Sequence, residues 1–225
     1  MRALLTVLFV LICAAAPVQA RQAGPTPEAF RADALSIEAL VNAQYAYLDR
    51  FPAGVMPMSA VLRAEAEAVN DQPSLLRFAE RAVAALADHH AITGGSFNDS
   101  WGLAPSFSDL WIEPDGEVWR ITAVREGSPA EASGVRSGDT LVAIAGIPTG
   151  TAVAAFWAEL GLEPTGDRPG YGARVLATGR RDRPRDLTIR DAAGAERRLT
   201  LPNLYQAGPG DRPPVSAHEA DGVLV

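Results

Sequence analysis

Residues 119–146 read WRITAVREGSPAEASGVRSGDTLVAIAG, and this run decides the fold. Trp119 to Val124 alternates in strand fashion, with β-branched Ile121, Thr122 and Val124. Glu126-Gly127 stops the strand. Ser128 is a good N-cap, and Pro129 suits a first helical position, where its missing N–H costs nothing. The helix is one or two turns, Pro129 to Ser133, and Gly134 fits the left-handed position that ends it. Ser137-Gly138-Asp139 makes a turn, and Thr140 to Ile144 is a buried strand closed by Gly146.

Gly127-Ser128-Pro129-Ala130, Ala132, Gly134-Val135, Gly138-Asp139, Leu141, Ile144 and Gly146 stand at the spacing of a signature found in secreted bacterial proteases. The stretch resembles the middle of a PDZ domain. That resemblance implies peptide binding rather than catalysis, and a fold alone does not fix a function.

The rest of the chain bounds the reading. It has 225 residues, 48% hydrophobic and 21% charged, as an ordinary globular protein does. The net charge of −7 argues against nucleic acid as a partner, since phosphate binding needs a clustered positive surface. All 20 basic residues are arginine; there is no lysine. Residues 1–20 read as a secretory signal: Arg2, an apolar run from Ala3 to Ala16, and a Val18-Gln19-Ala20 cleavage site. The run is shorter than the roughly 20 apolar residues that span a bilayer. Export to the periplasm or medium is expected, with no membrane attachment after cleavage. The one cysteine, Cys13, lies in this segment, behind an Ile12 too bulky for a lipoprotein site. A chain starting at Arg21 then has no disulfide and no thiolate for a metal. No cofactor and no metal are expected.

Thr26-Pro27-Glu28 opens a helix, and Ile37, Leu40, Val41, Tyr45 and Leu48 recur at helical spacing. Phe51-Pro52-Ala53-Gly54 breaks it, and Ser59 caps a second helix with Val61, Leu62 and Val69. After Asn70-Asp71-Gln72-Pro73, the residues Leu75, Leu76, Ala79, Ala82, Val83 and Leu86 form one face of a third helix. Three such helices make a small helical domain, residues 26–90. The breakers between Phe51 and Asn70 mark an expected mobile joint. Asp88-His89-His90 ends the domain. Adjacent helical side chains do not face the same way, so the histidine pair reads as structural, not chelating.

Ala91 to Ser106 is a loop, and Phe107 to Glu113 a strand. Thr151 to Leu160 is a helix with Val153, Phe156 and Trp157, and Tyr171 to Ala177 is expected as a strand. Asp186 to Arg190 and Arg197 to Leu201 flank a hairpin turn. Seven arginines fall between Arg180 and Arg198, interleaved with Asp182, Asp186, Asp191 and Glu196, which reads as a solvated hairpin. Gln206 to Pro214 is a Gly/Pro-rich linker, and Gly222 to Val225 opens an apolar strand.

The whole order resembles the front half of the C-terminal processing (tail-specific, tricorn-like) serine peptidases. Asp88 to His90 and Pro105-Ser106-Phe107-Ser108-Asp109-Leu110-Trp111 carry this, together with the PDZ stretch. The implied fold is α+β. A helical domain is followed by a circularly permuted bacterial PDZ domain, residues 102–204, a partly open small β-barrel with two helices. Residues 205–225 are then a linker and the start of a catalytic domain absent from this chain. The family's nucleophilic serine needs a lysine or histidine base. Without lysine a Ser–Lys dyad is impossible, and no G-x-S-x-G elbow occurs. The chain is expected to be inactive alone. Its partners would be unfolded or C-terminal peptide segments. By resemblance the peptide adds to the strand edge Phe107 to Ile112 beside the helix Thr151 to Leu160. Its carboxylate would sit on the loop Gly102 to Phe107, weakly, because Pro105 removes a donor. The implied binding residues are Gly102, Leu103, Phe107, Ser108 and Leu110, with Val153 and Phe156 forming the side-chain pocket. The alternatives are a stand-alone secreted adaptor and a metal- or histidine-dependent enzyme.

Overall fold

The computed structural model describes residues 24–208 and, as backbone alone, 219–220 and 223–224. The expected signal segment, Cys13, His218 and most of 205–225 lie outside the described residues.

Each of the first three helices starts where a polar side chain caps it. Thr26 accepts from the Ala29 N–H and opens α1 (Pro27–Gln44). Ser59 accepts from the Leu62 N–H and opens α2 (Ala60–Ala68). Asp71 and Ser74 form a capping box at α3 (Gln72–Ala84). The three pack on one another through Ala34, Leu62, Ala66, Phe78 and Ala82. Phe78, outside the apolar face expected for α3, is fully buried. Leu40 and Val61, expected on inner faces, are exposed at 53% and 44%. Each sits one position from the stripe that meets its neighbour.

The second layer is an antiparallel, open sheet. It contains β1 (Leu110–Asp115), β2 (Val118–Val124), β3 (Thr140–Ile144), β4 (Ile147–Pro148), β5 (Arg185–Arg190) and β6 (Glu196–Leu201), in the order β1-β2-β3-β5-β6, with β4 also on β3. The short α4 (Pro129–Ala132) is capped by Ser128 and ended at Gly134, φ 81°, as its residues require. α5 (Thr149–Glu159), α6 (Arg168–Thr178) and α7 (Leu204–Ala207) complete the described body. β7 (Glu219–Ala220) and β8 (Val223–Leu224) pair as a two-stranded hairpin.

Tyr171 to Ala177 is not a strand; it lies inside α6. α6 is buried nearly all round, and Pro169, Gly170 and Gly172 near its start are poor helix formers. What admits it is Gly172: a Cβ there would stand 2.9 Å from Trp157 Nε1, so only glycine lets α6 press onto α5. The edge strand begins at Leu110, not Phe107, because 107–109 belong to the preceding turn. The arginine run is not uniformly solvated. Arg185 is buried, and Arg180 and Arg181 are half-buried.

The helical layer and the sheet layer share one continuous core, from Ala34 to Leu201. Polar ties fasten the joint. Ser59 Oγ donates to Leu160 O at 2.5 Å, and Arg81 Nη2 to Glu159 O at 2.7 Å. Arg50 pairs with Asp167 at 2.7 Å, and Arg77 with Asp99 at 2.8 Å.

Candidate functional site

A cleft of about 470 Å³ opens along this joint. Ligand pockets commonly fall in the range of roughly 300–1,000 Å³. One wall is α3 and the segment after it, with Arg77, Glu80, Val83 and residues 91–96. The other is the loop from Trp101 to Phe107, Phe156 and Leu160 of α5, and Tyr171 and Val175 of α6. Arg180, Arg181 and Tyr205 complete it.

Aromatic contacts shape the second wall. Trp101 meets Phe156 edge-on at 6.2 Å, and Phe107 stacks on Tyr205 at 3.8 Å. Gly102 lets the loop lie close, since a Cβ there would stand 2.4 Å from Thr178 Cγ2. The Gly102 N–H donates to Gly179 O at 2.8 Å, and Trp101 bridges to Arg180 in antiparallel fashion. Asn203 fixes Tyr205 by capping α7 while its Nδ2 donates to Arg183 O at 2.7 Å.

Of the residues implied by resemblance, Gly102, Leu103, Phe107 and Phe156 line this one cleft. Val153 does not; it is buried in the α5–α6 contact beside Gly172. Ser108 and Leu110 are buried, and Ser108 Oγ donates to Leu110 O at 2.8 Å. The N–H groups of Gly102, Leu103 and Phe107 are engaged within the chain. Leu103 N–H donates to Tyr205 Oη at 3.4 Å and Phe107 N–H to Leu103 O at 2.7 Å. The helix lying along β1 is α6, not α5: Arg174 Nη1 donates to Ile112 O at 3.1 Å, and Gly170 abuts Pro114. Sequence reasoning missed Trp101, Arg180, Arg181 and Tyr205. The one signal for them was aromatic residues beside Gly102 and beside the cap Asn203.

The histidines diverge. His89 stacks on Tyr171 at 4.5 Å, and its Nε2 accepts from Arg174 Nε at 2.9 Å. Burial first, and then the Arg174 charge, pull its pKa down to about 4. His90 is exposed, with Nδ1 3.1 Å from Asp88. Burial pushes Asp88 up, but hydrogen bonds from Tyr45 and the His90 N–H outweigh it and leave Asp88 low. Tyr45, half-buried and hydrogen-bonded to that carboxylate, is pushed up to about 12, first by its desolvation. Among the described residues no serine is hydrogen-bonded to either ring, and no three His, Cys, Asp or Glu side chains converge.

Residues 120–156 match the family model for the PDZ domain. The chain contains a PDZ domain. The matched span takes in most of β2, then α4, β3, β4 and most of α5, so the PDZ domain supplies Phe156 to the cleft. Comparison with curated proteins gives no match. Among solved structures the chain is similar to mature CPAF, at 15% identity and TM-score 0.43, over 83% of this chain and 38% of that one. A mutant of CPAF gives 14% and 0.45, over 77% and 34%. The photosystem II D1 C-terminal processing protease gives 16% and 0.34, over 77% and 43%. The chain therefore spans less than half the length of these structures.

Proposed function

We propose that this chain is the peptide-binding region of an exported, peptidase-related protein, and that its cleft receives an extended peptide segment. The observation that carries the reading is the aromatic cleft beside the PDZ domain, whose wall is Trp101, Phe107, Phe156 and Tyr205. Aromatic side chains offer large contact area at low entropic cost. Strand addition at β1 is disfavoured, because Arg174 of α6 already donates to the Ile112 carbonyl and Pro114 cannot donate. Hydrolysis, in this reading, belongs to a catalytic domain outside these residues. No lysine is present to activate a serine, and neither described histidine meets one.

Titration of the full chain with fluorescent, unstructured apolar peptides tests the reading. Saturable binding that Phe156→Arg removes from a still-folded protein supports it. No binding by any peptide refutes it. Turnover of casein by repurified protein, abolished by replacing a serine of this chain, would overturn the non-catalytic part. Export predicts an intact mass beginning at Arg21 in secreted material.

A further inference from the structure

Ala91 to Ser100 carries the chain from the end of the helical layer to the aromatic loop, and it is fastened at both ends. At the first end the Ala91 N–H donates to Asp88 O at 3.2 Å. At the second, the Phe97 N–H donates to Ser100 Oγ at 2.9 Å, and Ser100 Oγ donates to Glu80 of α3 at 2.7 Å. Arg77 of α3 lies 4.0 Å from the Phe97 ring centre and pairs with Asp99. The Arg181 N–H donates to Ser100 O at 3.1 Å.

The residues between these two posts, 92–96, are held by little. Among the described residues, none of their backbone N–H groups is hydrogen-bonded within the chain. Thr93 Oγ1 donates to Gly95 O at 2.6 Å, a bond inside the segment, and Arg181 donates to Ser96 Oγ. Gly94 is at φ 72° with nothing within 4 Å of a Cβ placed on it, and a Cβ on Gly95 would meet only Leu76, at 3.8 Å. Two adjacent glycines in open space change direction at low cost. Segments with few apolar contacts and solvent-facing backbone open well below global unfolding, and lids over binding sites are drawn from them.

Ile92 shows which way the segment closes. It lines the cleft, yet it is 55% exposed, more than any other large aliphatic side chain among the described residues. An aliphatic side chain at a cleft rim gains by burial against whatever fills the cleft.

We propose that residues 92–96 are a lid that turns on Gly94-Gly95 and closes over the segment held in the cleft, burying Ile92 against it. The proposal rests on the peptide reading above and adds a moving part to it. Ile92 meets the bound segment only after closure, so it governs how slowly the segment leaves more than how fast it arrives.

The test uses the full chain and one fluorescein-labelled, unstructured peptide with a central leucine-phenylalanine-leucine and an amidated end. Amide hydrogen exchange is followed with and without saturating peptide. In the free chain 92–96 should exchange fast, and bound peptide should slow them about tenfold or more. In Ile92→Ser the peptide is expected to dissociate about tenfold faster, with association little changed, as the partial loss of one buried aliphatic side chain requires. Leu35→Ser is the control: Leu35 is 47% exposed on α1 and does not line the cleft, so its loss should leave both rates unchanged. Exchange at 92–96 that saturating peptide does not alter overturns the lid and leaves the peptide cleft standing. Slow exchange of 92–96 in the free chain overturns it too, as does an unchanged dissociation rate in Ile92→Ser. Failure of the peptide to bind removes the peptide reading itself, and this proposal with it.

Discussion

Arg185 meets Asp109 in the interior, guanidinium against carboxylate, with the two side chains 3% and 0% exposed. The pair joins four elements. Asp109 stands just before β1 and accepts from the Ala130 N–H of α4 at 3.2 Å. Arg185 opens β5 and donates to Ala177 O of α6 at 2.7 Å. Removing one partner strands a buried charge, which costs about 3–5 kcal/mol. Asp109→Ala and Arg185→Met are each expected to lower the urea midpoint by that equivalent. The double variant Asp109→Leu with Arg185→Met should lose less than the sum of the singles. Additive losses would show that the two side chains act independently.

His89 makes stability depend on pH. Its pKa is about 4 in the fold, against an ordinary value near 6.5. The folded form binds fewer protons between those values, so the stabilisation is complete above about 6.5 and is lost as pH falls toward about 4. The expected loss is of order 2 kcal/mol. In His89→Gln the side-chain oxygen can still accept from Arg174 but does not titrate. That variant should show a flatter stability profile across this window by thermal melting. An unchanged slope would place the acid sensitivity elsewhere.

Gly161 follows α5 at φ 65°, where a Cβ would lie 2.8 Å from Val61 Cγ2 and 3.0 Å from Ser59 Oγ of the helical layer. Gly161→Ala therefore meets both backbone strain and the facing helix. A cost of about 2 kcal/mol is expected, a fall in Tm of roughly 4–8 °C for a chain this size. Gly166→Ala is the control: φ is 61° but nothing lies within 4 Å, so it pays the backbone strain alone and should fall less. Equal shifts for the two would mean that the contact with α2 contributes nothing.

The turn between α1 and α2 should be the first site of proteolysis. Gly54 is at φ 64° and Val55 is 43% exposed, but Met56 is buried, with its N–H on Asn42 Oδ1 at 2.7 Å. Cutting is expected at 52–55 well before β3, mapped by mass spectrometry of a limited digest. Early cleavage within Thr140–Ile144 would contradict the buried placement of that strand.

The sequence by itself determined the elements whose cause is local. Ser128, Pro129, Gly134 and Gly138 wrote the strand, short helix and turn of the PDZ stretch, because caps and left-handed positions accept few residue types. Thr26, Ser59 and Asp71 fixed three helix starts for the same reason. Tertiary structure alone decided what depends on approach between distant segments. α6 packs against Trp157 through Gly172, a contact no window around Tyr171 contains. Phe156 and Val153 sit on the same helix and both lie against Gly172 of α6, yet Phe156 also lines the cleft while Val153 is core. Charge was the least legible property. In one arginine-rich run, Arg185 is buried on an aspartate 76 residues earlier, Arg180 and Arg181 lie on aromatic rings of other elements, and Arg183 stays at the surface. A guanidinium's role is set by the partners that folding brings to it, and those partners are not encoded in its neighbours along the chain.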